Sequence, residues 1–185
     1  SEREKNCAEN PEKPILEFMN IEQNIDRIKA LAREMDEENW QFRAFLKGCN
    51  ASELDRTVHR LHRECASRIE CTTCANCCKE ASPILSQTDV MRLSEYLGIA
   101  TSDFSEKYLE PPKDSDKQRI REKPCPFLRK NRCTAYEARP DACRSFPHLH
   151  KKDFIFRTIQ VVTNCHICPI VFNVFEELKE EIWRA

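Results

Sequence analysis

Glycine is almost missing from this chain: Gly48 and Gly98 are the only two in 185 residues. A dinucleotide-binding fingerprint needs three closely spaced glycines, and a Walker loop needs two before its lysine, because the backbone must come close to phosphate. Neither can be written with Gly48 and Gly98, so no glycine-rich nucleotide or S-adenosylmethionine loop is expected. Long apolar runs are missing too, and none approaches the roughly 20 residues of a membrane-spanning helix. The formal net charge is −1, which implies no general attraction to nucleic acid or to an anionic membrane. The opening SEREKNCAENPEKP is strongly charged and holds no apolar stretch of a secretory signal. The expectation is a cytoplasmic protein without a membrane span. Apolar residues make up 40% and charged residues 33%, the balance of a folded domain rather than of a disordered tail.

Helical periodicity dominates the first third. Ile15, Phe18, Ile21, Ile25, Ile28, Leu31, Ala32 and Met35 recur at three- and four-residue steps, the spacing of one helix face. Trp40, Phe42, Phe45 and Leu46 continue that pattern or open a second helix, and Gly48 is a natural stop. The next helix is predicted to start at Ser52, with Asp55 three residues on as a short capping box. Leu54, Val58, Leu61, Cys65 and Ile69 form its apolar face. Regular periodicity then breaks at Cys71 and returns in SQTDVMRLSEYLG, where Ser86 or Thr88 caps a helix that Gly98 ends. TSDFSEKYL predicts a short helix from Thr101 or Ser102, PPKDSDKQR a polar loop, and CPFLRKNRCTAY two extended pieces around a turn at Lys130 to Arg132. FIFRTIQVV, residues 154 to 162, is β-branched and aromatic and predicts a strand. Ile170, Val171, Val174, Phe175, Leu178 and Ile182 predict a closing amphipathic helix. The expected fold is mainly α with a few short strands: an N-terminal helical segment over residues 1–70, then a metal-organised cysteine-rich domain over 71–185.

Against this background stand twelve cysteines. Cys7, Cys49 and Cys65 are scattered, and packing as small hydrophobes accounts for them. The other nine are Cys71, Cys74, Cys77, Cys78, Cys125, Cys133, Cys143, Cys165 and Cys168. A disulfide framework suits them poorly, because nine is odd, Cys77 and Cys78 are adjacent, and a cytoplasmic setting keeps thiols reduced. A thioredoxin-type relay needs one Cys-x2-Cys in a βαβ setting, and that setting is missing here. Metal ligation fits: a Cys-x2-Cys turn brings two thiolates to one ion at about 2.3 Å. Cys71-x2-Cys74-x2-Cys77 repeats the device as a wrapping loop. It resembles the three-cysteine run of bacterial ferredoxins, with Cys125-Pro126 and Cys168-Pro169 as distant cysteine-proline pairs. Neighbouring side chains diverge from one backbone, so Cys77 and Cys78 are expected to face different centres or to bridge two close metals. Cys125, Cys133, Cys143 and Cys165 supply the remaining ligands. Eight thiols make two four-thiolate sites, with Cys168 as a ninth candidate.

CTTCANCC, CPFLRKNRCTAYEARPDACRSFP and NCHICP together resemble the CxxCxxCC cysteine-cluster family, over about residues 71 to 170. Tyr136, Arg139, Pro140, Cys143, Arg144, Phe146 and Pro147 carry the resemblance with the cysteines. Asn76 stands where the family pattern often has glycine. The resemblance implies a zinc- or iron-chelating domain. Its distant relatives, the flagellin lysine N-methylases, imply that such a cluster can serve an enzyme, although they are longer and the glycine scarcity speaks against a self-contained methylase here.

Four thiolates around one zinc ion, or around an oxidised four-iron cluster, leave the same charge of about −2. Buried negative charge calls for cationic neighbours, and residues 121 to 144 hold seven basic side chains against three acidic ones. Arg139 and Arg144 are the candidates for hydrogen bonding near the thiolates, while Lys130 and Arg132 read as a solvated turn. His148, His150 and His166 lie near cysteines but are unnecessary as ligands when nine thiols are present; His59 and His62 read as surface residues. The wrapping loop and the cysteine-proline pairs favour one or two iron–sulfur clusters (4Fe-4S), with redox or electron transfer as the role and Phe127, Tyr136 and Phe146 as shields against water. Zinc is the alternative cofactor, in a structural module whose N-terminal helices bind a protein partner. A cluster-dependent enzyme, or a subunit of one, is the third class, though no catalytic residue is marked. Nucleic acid is not an expected partner, since the basic stretch is short and Trp40 and Trp183 fall on helix faces.

Overall fold

The computed structural model describes residues 20–111 and 118–184. In chain order its helices are α1 (Ile25–Glu34), α2 (Asp36–Leu46), α3 (Ala51–Ala66), α4 (Cys71–Cys74), α5 (Asn76–Glu80), α6 (Gln87–Leu97), α7 (Thr101–Tyr108), α8 (Asp141–Ser145), α9 (Thr158–Cys165) and α10 (Pro169–Ile182). Four two-residue strands accompany them: β1 (Ile84–Leu85), β2 (Gln118–Arg119), β3 (Leu128–Arg129) and β4 (Arg132–Cys133). The protein is therefore mainly α with short antiparallel strands. Two units can be separated. One runs up to Glu70 and resumes at Pro147; the other is Cys71–Phe146.

In the first unit α10 packs on α3 and α9, and α2 packs on α9. The apolar spacing of α3 buries Leu54, Val58, Leu61 and Cys65 as expected. Phe42 of α2 meets Phe175 of α10 and Trp183, with ring centroids 5.1 and 5.2 Å apart. Two breaks differ from the sequence expectation. The helix through residues 15–35 begins at Ile25 among the described residues, and Ile15 and Phe18 lie outside them. The cap of α3 is Asn50, not Ser52: its carboxamide oxygen accepts the N–H groups of Ser52 and Glu53 at 3.0 and 3.1 Å. Asp55, freed from that role, accepts the N–H groups of Asp153 and Phe154 at 2.8 and 2.9 Å.

That last contact corrects the strand predicted over 154–162. The segment is a 3-10 turn, Phe154–Arg157, leading into α9. Phe154, Thr158, Val161, Val162, Asn164 and Cys165 are the buried positions, a helical spacing that β-branched composition conceals. The closing helix, which the sequence groups with the cysteine-rich part, packs on α3 and buries Val171, Val174, Phe175 and Leu178. Lys179 on α10 is fully buried and pairs with Glu176 at 2.6 Å and Glu38 at 3.3 Å, as a buried cation must. Cys65 packs as expected; Cys49 is buried too, but disulfide-bonded. Cys7 lies outside the described residues.

In the second unit, Leu85, Val90, Leu93, Phe104, Ile120 and Phe127 form the core. Ser86 caps α6 in a capping box with Asp89, and Gly98 ends it in the left-handed region at φ 67°, the conformation glycine adopts without strain. β1 pairs with β2, Ile84 opposite Arg119, so Gln118 and Arg119 leave the loop to which their polarity assigned them. β3 and β4 form a hairpin with Leu128 opposite Cys133. Its two turn residues, Lys130 and Asn131, are both left-handed at φ 47° and 61°, the tight geometry that matches strand twist.

Candidate metal centre

Cys71, Cys74, Cys77 and Cys78 ride on α4 and α5, two short helices separated by Ala75 in the left-handed region at φ 47°. A single turn cannot hold its own shape, and polar ties beyond their own helical backbone hold these two. Asn131, at the hairpin tip, donates its side-chain amide to the Thr73 carbonyl at 3.0 Å. Lys79 Nζ reaches the Cys74 carbonyl at 3.3 Å. The backbone N–H of Cys125 donates to the Cys78 carbonyl at 2.8 Å. Cys125 precedes the β3–β4 hairpin, Cys133 ends its second strand, and α8 carries Cys143.

These ties bring Cys78, Cys125, Cys133 and Cys143 into one electrostatic neighbourhood. Burial pushes the Cys143 thiol up to about 12, and the charges of Cys78, Cys125 and Cys133 add to the rise. Burial likewise pushes Cys125 up to about 11, with Cys78 and Cys133 contributing. Cys133 is raised by burial and then by Cys78. Cys78 moves the other way, to about 7: a hydrogen bond with Cys77 is the main cause, and Arg139 and Lys79 assist against burial. Cys71 is exposed at the head of α4, while Cys74 and Cys77 are half-buried.

Cys165 and Cys168 belong to the other unit. The N–H groups of Ile167 and Cys168 both donate to the Asn164 carbonyl, at 3.0 and 2.9 Å, which makes the tight Cys-x2-Cys turn between α9 and α10. Both thiols are buried. Burial raises Cys165, and Glu176 and Cys168 raise it further, against Lys179.

Among the described residues, no three Cys, His, Asp or Glu side chains stand so as to hold a metal ion between them. Neutral thiols have nothing to draw them to the roughly 2.3 Å ligand distance, which requires thiolates and a cation. The chemistry of the donor set fits a thiophilic metal all the same. Four thiols from three stretches of chain share one neighbourhood, and the Arg139 guanidinium lowers three of the four, Cys78, Cys133 and Cys143, with Lys79 also acting on Cys78.

The two expected arginines differ. Arg139 acts on the thiols through its charge, while its Nε donates to the Tyr136 carbonyl at 2.9 Å and its plane lies 3.3 Å from the Tyr136 ring centroid. Arg144 donates to the carbonyls of Arg139 and Glu137, so it shapes the loop rather than meeting a thiolate. Of the expected shields, Phe127 is in the core beside Phe104 and Tyr108, Tyr136 is exposed and Phe146 half-buried. His166 faces Asp36 at 3.7 Å, away from a ligand role. Sequence reasoning missed a histidine group in the first unit. His62 and His150 rings lie 6.1 Å apart, and His59 Nε2 is 3.3 Å from the Lys151 carbonyl. The i,i+3 spacing of His59 and His62 was the available signal.

A fold held by short helices around clustered thiols, with an arginine set against their charge, is that of a cysteine-rich metal-binding protein. The chain belongs to the CxxCxxCC family, described as "Putative zinc- or iron-chelating domain", whose model matches residues 70–169. That span takes in all nine clustered cysteines and leaves α1 to α3 outside. No curated protein and no solved structure matches the chain.

Proposed function

We propose that the cysteine cluster holds an iron–sulfur cluster, 4Fe-4S in type, and that the protein serves redox chemistry as an electron carrier. The observation that carries this reading is the shared neighbourhood of Cys78, Cys125, Cys133 and Cys143. Four thiolates are the full ligand set of such a cluster, which supplies a reversible one-electron change when bound. The wrapping run Cys71, Cys74 and Cys77 keeps further thiols on the same two short helices. Arg139 offsets thiolate charge, and Phe127 keeps one side of the Cys125 turn apolar, both of which bear on potential. Cys165 and Cys168 are candidates for a second centre.

Zinc in a structural module is the second reading. The same four thiols also make the closed tetrahedral set of a structural zinc ion. Purification without oxygen, followed by elemental analysis and Mössbauer spectroscopy, separates the two. Brown protein containing iron and sulfide, bleached reversibly by dithionite, supports the electron carrier. Colourless protein with stoichiometric zinc supports the module, and folded protein with neither metal overturns both.

A further inference from the structure

We propose that Asp89 and Arg92 are positioning residues of the metal centre, holding Cys143 and Arg139 in place from α6. The inference rests on the cysteine cluster being a metal centre. Asp89 is only 2% exposed, and both of its carboxylate oxygens are engaged. Oδ2 accepts the Ser86 N–H and hydroxyl, each at 2.9 Å, and so closes the capping box of α6. Oδ1 accepts Arg92 Nη2 at 2.5 Å and the backbone N–H of Asp141 at 3.0 Å. Asp141 is the first residue of α8, and α8 has no side-chain cap of its own, since Pro140 stands at its cap position. One buried carboxylate thus caps two helices.

Arg92 extends the clamp. Its Nε donates to the Ala138 carbonyl at 3.5 Å, and its Nη2 reaches the Arg139 carbonyl at 2.9 Å and Asp141 Oδ1 at 3.1 Å. The segment from Ala138 to Asp141 is therefore tied at three points to one face of α6. A five-residue helix does not sustain itself, so these ties decide where Cys143, two residues past Asp141, is held. They also fix the backbone of Arg139, four residues before Cys143. Loosening the clamp displaces a ligand. Groups that orient ligands from outside change metal affinity by about 10- to 100-fold.

The test uses the full chain, purified without oxygen. Metal per chain is followed by elemental analysis during competition with a chelator. Asp89→Asn keeps the side-chain size but, whichever way the amide turns, puts an NH2 where one carboxylate oxygen accepts two hydrogen bonds, and it removes the charge that orders Arg92. It is expected to lose metal about 10- to 100-fold more readily than the natural chain. Arg92→Lys, which keeps the charge without the planar fork, is expected to fall between them, and it carries the test if Asp89→Asn does not fold. Ser86→Ala removes the hydroxyl of the α6 cap and leaves Asp89 on Asp141; it is expected to lower thermal stability and leave metal retention unchanged. A natural chain without metal defeats the functional reading itself. A natural chain with metal, matched in retention by Asp89→Asn and Arg92→Lys, overturns the clamp. So does metal loss that tracks thermal stability equally in all three variants, Ser86→Ala included.

Discussion

Cys125 donates its backbone N–H to the carbonyl of Cys78 at 2.8 Å, joining the cysteine-proline corner to the helix that carries the double cysteine. The bond uses main-chain atoms, so it survives changes of side chain. Substitutions at the thiols therefore probe ligation more than folding.

Serine at Cys78, Cys125, Cys133 or Cys143 is expected to lower bound metal per chain in each case, because a hydroxyl does not replace a thiolate on a thiophilic metal. Cys65→Ala is the contrast. Cys65 is buried on α3, and its loss is expected to cost about 1 kcal/mol in urea unfolding, as a small cavity does, with metal unchanged. Full metal content in all four serine variants would move the centre elsewhere.

Chelation is expected to lower the melting temperature of the natural chain, since ligand binding to the folded state alone stabilises it. The Cys143→Ser variant is expected to show a much smaller shift under the same chelator. Calorimetry with and without chelator reads both, and equal shifts in the two proteins contradict a role for Cys143.

The first unit rests on aromatic and aliphatic packing. Phe175→Ala, in a fully buried site against Phe42, is expected to destabilise by about 3–5 kcal/mol. Asn50→Ala removes the α3 cap at a half-buried position and is expected to cost about 1 kcal/mol. Denaturant titration of each variant gives the comparison, and reversal of that order would contradict the packing described.

Acid is expected to weaken the same unit through its histidines. Burial lowers His148 to about 4 from its ordinary 6.5, with Lys151, Arg157 and His150 adding repulsion. Burial also lowers His62, helped by His150, His59 and Arg63. Between these values the unfolded chain binds more protons than the folded one, so stability rises with pH. The contribution is complete above about 6.5 and is lost as pH falls through about 4. His148→Gln is expected to flatten the melting temperature across that window; an unchanged slope contradicts the assignment.

Local signals were enough for α6. Ser86, Asp89 and Gly98 mark both ends of that helix, since capping is decided within one turn. They were not enough for residues 154–162, where β-branched residues outvoted a helical burial pattern that exists only once Asp55 holds the turn before it. The metal-centre residues show the same split. Cysteine spacing indicated metal chemistry, and the arginine-rich stretch held Arg139. Nothing local showed that Arg144 would bond the carbonyls of Arg139 and Glu137.

The amino-acid order by itself determined the chemistry of this protein: thiols in a wrapping run, too little glycine for phosphate loops, and amphipathic helices at both ends. Those follow from residue type and short spacing. Tertiary structure alone decided the grouping: Cys78 with Cys125, Cys133 and Cys143, Asp89 as a cap for α8, and the closing helix against α3. Such pairings form between residues far apart in the chain, where burial and hydrogen bonding select partners that no local spacing encodes.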